Sequence, residues 1–304
     1  MSDYLQTLNE PQREGVINTE GPTMIIAGAG SGKTRVLTFR IAYLIQNKNV
    51  DPFNIMALTF TNKAAKEMRD RIEKMVGGDA RNLWMGTFHS VFARILRAEA
   101  HHLGYPNNFT IYDTDDSKSL LRSVIKEMGL DDTQYKVNTV YNRISSAKNR
   151  LVSWQEYIAN PVFAADDGAN MRPEIGNIYK AYALRCFKSG AMDFDDLLFN
   201  TDKLFKEHLP VLNKYQHRFH YMLVDEFQDT NLCQYFIIRK LAAVHQNICV
   251  VGDDAQSIYA FRGADITNIL NFEKDYPEAR IIKLEQNYRS TQTIVEAANS
   301  VIAK

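Results

Sequence analysis

The chain has 304 residues, 45% apolar and 24% charged, and its 36 basic and 36 acidic side chains cancel to a formal net charge of zero. That length exceeds a usual single domain, so two folding units, or one large domain with an insertion, are expected. A neutral balance excludes a global basic field and confines any nucleic-acid site to a local groove; no apolar run reaches membrane-spanning length and no signal-peptide pattern opens the chain, so the expected compartment is cytoplasmic.

The first strand expected is the unbroken apolar run at residues 24–27. Residues 27–34 then read Ala-Gly-Ala-Gly-Ser-Gly-Lys-Thr. Glycines in such a turn let successive backbone N–H groups of Gly28, Ala29, Gly30, Ser31 and Gly32 converge on an anion, and the next helix adds its positive N-terminus. Lys33 would reach the β/γ-phosphates of a nucleotide, and the Thr34 hydroxyl would hold Mg²⁺. The strict phosphate-loop pattern wants glycine at position 27, where this chain has Ala27; the alternative is a glycine-rich turn with no ligand. Val36, Leu37, Ile41, Leu44 and Ile45 recur at helical spacing behind it.

Further strands are expected at residues 55–60, 221–224, 248–251 and 281–284, with helical patterns at 64–76 and 88–101. Unbroken rather than alternating apolarity suits strands covered on both faces, as in a parallel α/β sheet, where chemistry gathers at the carboxyl ends. The mixed-charge run at 66–74 reads as a solvated helix face. Residues 108–192 have a different texture: helix starts at Thr114 and at Ser153, whose partner Glu156 completes a capping box. After Pro173 comes a helix with Ile175, Ile178, Tyr179, Tyr182 and Cys186 on one face. No strand-like run interrupts this stretch, which reads as an α-helical insertion. Residues 281–284 are expected to open a new unit, with its first helix at 291–303, and the rest of that domain to have been cut off. The expected organisation is therefore 1–107 with 193–280 as one α/β domain, 108–192 as the insertion and 281–304 as the start of a second domain. Cys186, Cys233 and Cys249 lack metal-ligand spacing and read as core thiols in a reducing compartment.

Three further segments carry chemistry. Asp225-Glu226 follows a strand; with a phosphate loop in the same chain, Asp225 would hold Mg²⁺ and Glu226 would orient and deprotonate the attacking water. A strand-end acidic turn is the alternative. Residues 251–263 bring Gln256 behind a strand, where its amide could sense a γ-phosphate, and Tyr259, Phe261 and Arg262, which could meet bases and phosphates. Aromatics filling a core beside a surface arginine would look the same. Gln286-Asn287-Tyr288-Arg289-Ser290 offers Arg289 to neutralise charge on a transferred phosphoryl group, unless it is an ordinary surface arginine.

The ordered set AGAGSGKT, FTNKAA, TFH, DFDDL, DEFQD, GDDAQSIYAFRGA and QNYRS resembles the UvrD/Rep/PcrA family of superfamily 1 DNA helicases, from Gln12 to Ser290. The resemblance implies a RecA-like P-loop domain with a parallel sheet and an inserted helical subdomain, and that family carries alanine at the position of Ala27. It implies an ATP- and Mg²⁺-dependent motor, monomeric in isolation, acting on single-stranded DNA and duplex junctions. It assigns Gln12 to adenine recognition, Arg35 and Gln256 to nucleotide contacts, Tyr288 to packing on adenine and Arg289 to an arginine finger. It assigns Phe60, Asn62, Thr87, His89, Tyr259, Phe261 and Arg262 to a single-strand channel. Phe261 stands where the family usually has Trp, and Phe227 where Tyr is commoner. Other readings stay open: the motor part of a helicase–nuclease, a nucleotide-switched DNA-binding module that does not hydrolyse ATP, or an RNA helicase.

Overall fold

The computed structural model describes residues 3–253, 267–291, 293 and 294. In chain order its first elements are α1 (Glu10–Ile17), β1 (Thr23–Ala27), α2 (Lys33–Gln46), β2 (Ile55–Thr59), α3 (Asn62–Val76), β3 (Trp84–Thr87) and α4 (Phe88–Glu99). Then come β4 (Thr110–Tyr112), α5 (Thr114–Glu127), α6 (Val137–Asn149), α7 (Trp154–Ala159), α8 (Pro161–Ala169), α9 (Ile175–Lys188), β5 (Ala191–Asp193) and α10 (Phe194–Glu207). The last described are α11 (Leu209–Arg218), β6 (Tyr221–Val224), α12 (Leu232–Ala242), β7 (Ile248–Gly252), α13 (Thr267–Asp275) and β8 (Arg280–Leu284). The chain divides into two compact units, Met1–Val91 with Leu212–Asn231 and Ile238–Lys304, and Phe92–Val211 with Leu232–Ile237.

The first unit is built on a six-stranded parallel sheet of order β3-β2-β6-β7-β1-β8. Every position of β2 and β7 is buried, which is why those segments read as continuous apolar runs: both faces of the sheet are covered. Val36, Leu37, Ile41 and Leu44 of α2 and Met68 and Ile72 of α3 join Ile25, Ala57, Leu223 and Val251 in one core. Each of the larger side chains among these contributes roughly 1.5–3 kcal/mol by leaving water. Arg40 of α2 is also fully buried and donates to the Gly15 carbonyl at 2.7 Å, so α1 and α2 are joined by a charge-assisted bond.

Two expectations are corrected here. Residues 281–284 do not open a new unit: β8 pairs with β1 along its whole length, from Arg280 opposite Thr23 to Leu284 opposite Ala27. Ile282 and Leu284 are buried in the same core as β1, so this strand completes the sheet. The expected helix at 291–303 lies almost wholly outside the described residues. Strand β3 has no clear sequence signature: its four residues, one of them Gly86, are too few and too mixed for a period to emerge.

In the second unit, helices α5, α6, α7 and α9 pack around Leu121, Val124, Val140, Ile144, Tyr157, Ile178 and Tyr182. Ser153 and Glu156 form the expected capping box, and Asp113 with Asp116 forms another ahead of Thr114. The expected stretch without strands is corrected as well: β4 and β5 pair in parallel, Thr110 opposite Ala191 and Tyr112 opposite Asp193. Three-residue strands carry no readable alternation. At the end of β5, Lys148 lies 2.7 Å from both Asp193 and Asp196 with 2% of its side chain exposed. Tyr182 donates to the same Asp193 oxygen at 2.8 Å. Among the described residues, no helix is long and apolar enough to cross a membrane.

Candidate nucleotide site

All six strands of the main sheet run the same way, so the segments after β1, β6, β7 and β8 leave from one edge. After β1 the chain turns through residues 28–32. Gly30 (φ 74°) and Gly32 (φ 92°) adopt the left-handed conformation that a side chain resists. Ser31 fastens the turn, with both its N–H and its hydroxyl donating to the Gly28 carbonyl at 3.2 and 2.7 Å. Gly32 is the N-cap of α2 and has no side-chain cap, leaving the first-turn N–H groups of that helix without a side-chain acceptor.

Lys33, the first residue of α2, is buried and its Nζ lies 3.3 Å from Glu226 Oε2. Gln228 donates to the same oxygen at 2.8 Å, and its own carbonyl oxygen accepts from the Asp253 N–H at 3.0 Å. One buried amide thus ties the segments after β6 and β7 together. Glu226 itself has φ 50° and ψ 47°, a left-handed conformation costing about 1–2 kcal/mol for a residue with a side chain.

The charges here are out of balance. Burial first, then the neighbouring Glu226 charge, push the Asp225 carboxyl up to about 7, against the opposing pull of the Glu226 N–H and Lys33. Burial and Glu226 likewise raise Asp229 to about 6, and its Oδ1 is buried with no hydrogen-bond partner among the described residues. Asp225, Glu226 and Asp229 thus gather with Lys33 just beyond the end of β6. No group of three or more His, Cys, Asp or Glu side chains is arranged to hold a metal alone among the described residues. Thr34 and Asp225, the residues expected to hold Mg²⁺, stand at the start of α2 and just after β6, at the same sheet edge. Thr34 is half-buried next to Lys33.

Gln12 is 1% exposed, and its amide is already engaged. It accepts from the Asn9 N–H at 3.3 Å as part of the α1 capping box and donates to the Ser31 carbonyl at 2.9 Å. A Cβ at Gly32 would lie 2.8 Å from that Gln12 nitrogen, the end of a side chain that can shift, so it is the φ of 92° that favours glycine there. Arg35 donates to the Thr7 hydroxyl at 2.6 Å and lies over the Phe39 ring. Tyr288 is 53% exposed, with its hydroxyl accepting from Asn9 at 2.8 Å. The segment after β8 also touches the loop: Asn287 donates to the Ala29 carbonyl at 2.6 Å, and the Tyr288 N–H to the Gly30 carbonyl at 2.9 Å. Arg289 is exposed at the end of this contact.

The residues expected in a strand channel follow other strands. Half-buried Phe60 and exposed Asn62 come after β2, and half-buried Thr87 and His89 after β3. The Thr87 hydroxyl accepts from the Ser90 N–H at 3.3 Å at the start of α4, and burial lowers the His89 pKa. Gln256, Tyr259, Phe261 and Arg262 lie outside the described residues. Sequence reasoning gave no role to Asn9, Gln228, Asp229 or Asn287. The available signal was an Asn followed by two N–H groups able to close an Asx turn; the burial of Gln228 comes from the fold.

Residues 8–277 match the family model described as UvrD/REP helicase N-terminal domain. The chain is 48% identical over 303 residues to a Staphylococcus aureus protein named ATP-dependent DNA helicase PcrA, covering 99% of this chain and 40% of that protein. A Bacillus subtilis protein of the same name is 49% identical over 301 residues, again 99% of this chain and 40% of the relative. The Staphylococcus epidermidis protein is 48% identical, with 41% of its length covered. This chain thus spans about two fifths of the length of these curated relatives. With the phosphate loop, the acidic pair and the sheet order in place, the chain belongs to the UvrD/REP helicase N-terminal domain family.

Proposed function

We propose that this chain is the ATP-hydrolysing part of a DNA helicase that moves along single-stranded DNA and opens duplex at junctions. The observation that carries the reading is the 3.3 Å approach of Lys33 to Glu226, which joins a phosphate loop and a candidate base from two separate strand ends. The names of the relatives, ATP-dependent DNA helicases, support the substrate and the reaction.

ATP would lie along residues 27–32, with its base framed by Gln12 and Tyr288 and its sugar–phosphate side near Arg35. Lys33 turns from Glu226 to the β/γ-phosphates and neutralises them. Gln228 keeps hold of the carboxylate that Lys33 releases, so Glu226 stays oriented to take a proton from the attacking water. Thr34 and Asp225 would hold Mg²⁺, which would supply positive charge against the phosphates. Arg289 meets the charge that builds on the transferred phosphoryl group.

Gln256 would register the γ-phosphate, three residues ahead of Tyr259 and six ahead of Arg262. A phosphate contact could then shift the stacking of Tyr259 and Phe261 within one segment. Phe60, Asn62, Thr87 and His89 would continue the same strand-binding edge, with each stacked base contributing roughly 1–3 kcal/mol. Hydrolysis would thereby alter the grip on DNA.

The test uses the full-length protein and Glu226→Gln, with ATP turnover measured with and without single-stranded DNA. The expected result is turnover stimulated by DNA in the parent and a loss of about 10²–10⁴-fold in the variant, with nucleotide binding retained. Undiminished turnover in the variant would refute the assigned base.

A further inference from the structure

We propose that Asn287 is a positioning residue for Arg289, fixing the arginine's backbone to the phosphate loop through one side chain. This rests on the reading that Arg289 neutralises the transferred phosphoryl group. The Asn287 amide works in both directions. Its Nδ2 donates to the Ala29 carbonyl at 2.6 Å, while its Oδ1 accepts from the Arg289 N–H at 2.7 Å and the Ser290 N–H at 2.9 Å. Next to it, the Tyr288 N–H donates to the Gly30 carbonyl at 2.9 Å.

The packing is tight enough to carry position. A Cβ at Gly30 would fall 2.7 Å from Arg289 Cβ and 2.8 Å from Asn287 Oδ1, a separation real Cβ atoms do not tolerate. The origin of the segment fits this role. Leu284, at the end of β8, is in register with Ala27 at the end of β1, so the two strands deliver the loop and the arginine side by side. Asn287 joins the two segments just beyond those strand ends. A shift of residues 29–30 on binding a phosphate therefore moves the Arg289 backbone with it, and an arginine needed only in the transition state is aimed by the loop that holds the ground state.

Serine separates the two halves of this role. Its hydroxyl can accept from the N–H two residues on, preserving the local turn, but it is too short to reach Ala29. The experiment measures steady-state ATP turnover of the full-length protein with saturating single-stranded DNA. It compares Asn287→Ala, Asn287→Ser, Arg289→Ala and the double variant Asn287→Ala/Arg289→Ala, with thermal unfolding of each to confirm folding.

The expected results are a fall in kcat of about tenfold or more for both Asn287 variants, with KM for ATP within about twofold of the parent. Arg289→Ala should lose about 10³-fold or more, and adding Asn287→Ala should cost nothing further. Recovery of the parental kcat in Asn287→Ser would overturn the link to Ala29. A penalty in the double variant equal to the product of the two singles would overturn action through Arg289. A rise in KM at unchanged kcat would assign Asn287 to nucleotide binding instead. Parental turnover in Arg289→Ala would instead remove the arginine's own role, and the inference would fall with it.

Discussion

Replacing Lys148 by methionine removes the cation that Asp193 and Asp196 share at 2.7 Å each. Methionine keeps most of the volume, so packing changes little; what remains is a pair of buried carboxylates without their partner. Breaking a buried ion pair from one side costs about 3–5 kcal/mol. At about 2–4 °C per kcal/mol for a domain of this order, the melting temperature should fall by roughly 6–20 °C near neutral pH. The pH dependence follows from the direction of each shift. Burial opposes ionisation of Asp193, but Lys148 and further hydrogen bonds outweigh it and hold the carboxyl below its usual value. Its contribution to stability is present above the unfolded pKa and is lost as pH falls. Burial and the Asp193 charge push Asp196 up to about 7 and Asp195 up to about 6, and these two weaken the fold as pH rises through that range. Without Lys148, Asp193 and Asp196 bind protons more readily in the folded variant than in the parent, so the deficit should be smaller at pH 5 than at pH 7.5. Thermal unfolding followed by circular dichroism at both pH values tests this. A deficit below about 1 kcal/mol, or one that widens at pH 5, would refute the account of Lys148 as the charge that balances this cluster.

Two further substitutions probe the loop. Gln228→Leu removes the acceptor of the Asp253 N–H and one of the donors that hold Glu226; kcat for ATP in the full-length protein should drop about 10–100-fold, and an unchanged kcat would show that Glu226 is oriented by other means. Gly30→Ala places a Cβ where φ is 74° and 2.7 Å from Arg289 Cβ. The strain alone is about 1–2 kcal/mol, so nucleotide affinity measured by titration of a fluorescent ATP analogue should weaken by roughly tenfold, and parental affinity would show that the loop relaxes without cost.

What could be read from the residues was whatever is encoded locally. The phosphate loop was legible because φ above zero restricts residue choice, and the structure puts positive φ at Gly30 and Gly32. Strands covered on both faces were legible as apolar runs: residues 221–224 match β6 without change, and 248–251 miss only Gly252 of β7. The face of Ile175, Ile178, Tyr179, Tyr182 and Cys186 is buried as its spacing implied. The illegible part depends on which strands become neighbours, and chain order does not carry that. Nothing local distinguishes a strand that opens a domain from one that closes a sheet; Ile282 and Leu284 are buried either way, and only their pairing with β1 decides. The same limit hid Asn287. Its turn with Arg289 and Ser290 is local and could have been read, but its bond to Ala29 spans 258 positions. That bond exists only because β8 lies beside β1. Residues expected to carry charge or meet phosphate were thus visible by type, whereas those placed to aim them take their partners from the sheet order. A position such as Asn287 or Gln228 is therefore best sought where two strand ends meet, among side-chain amides that bond to two segments at once.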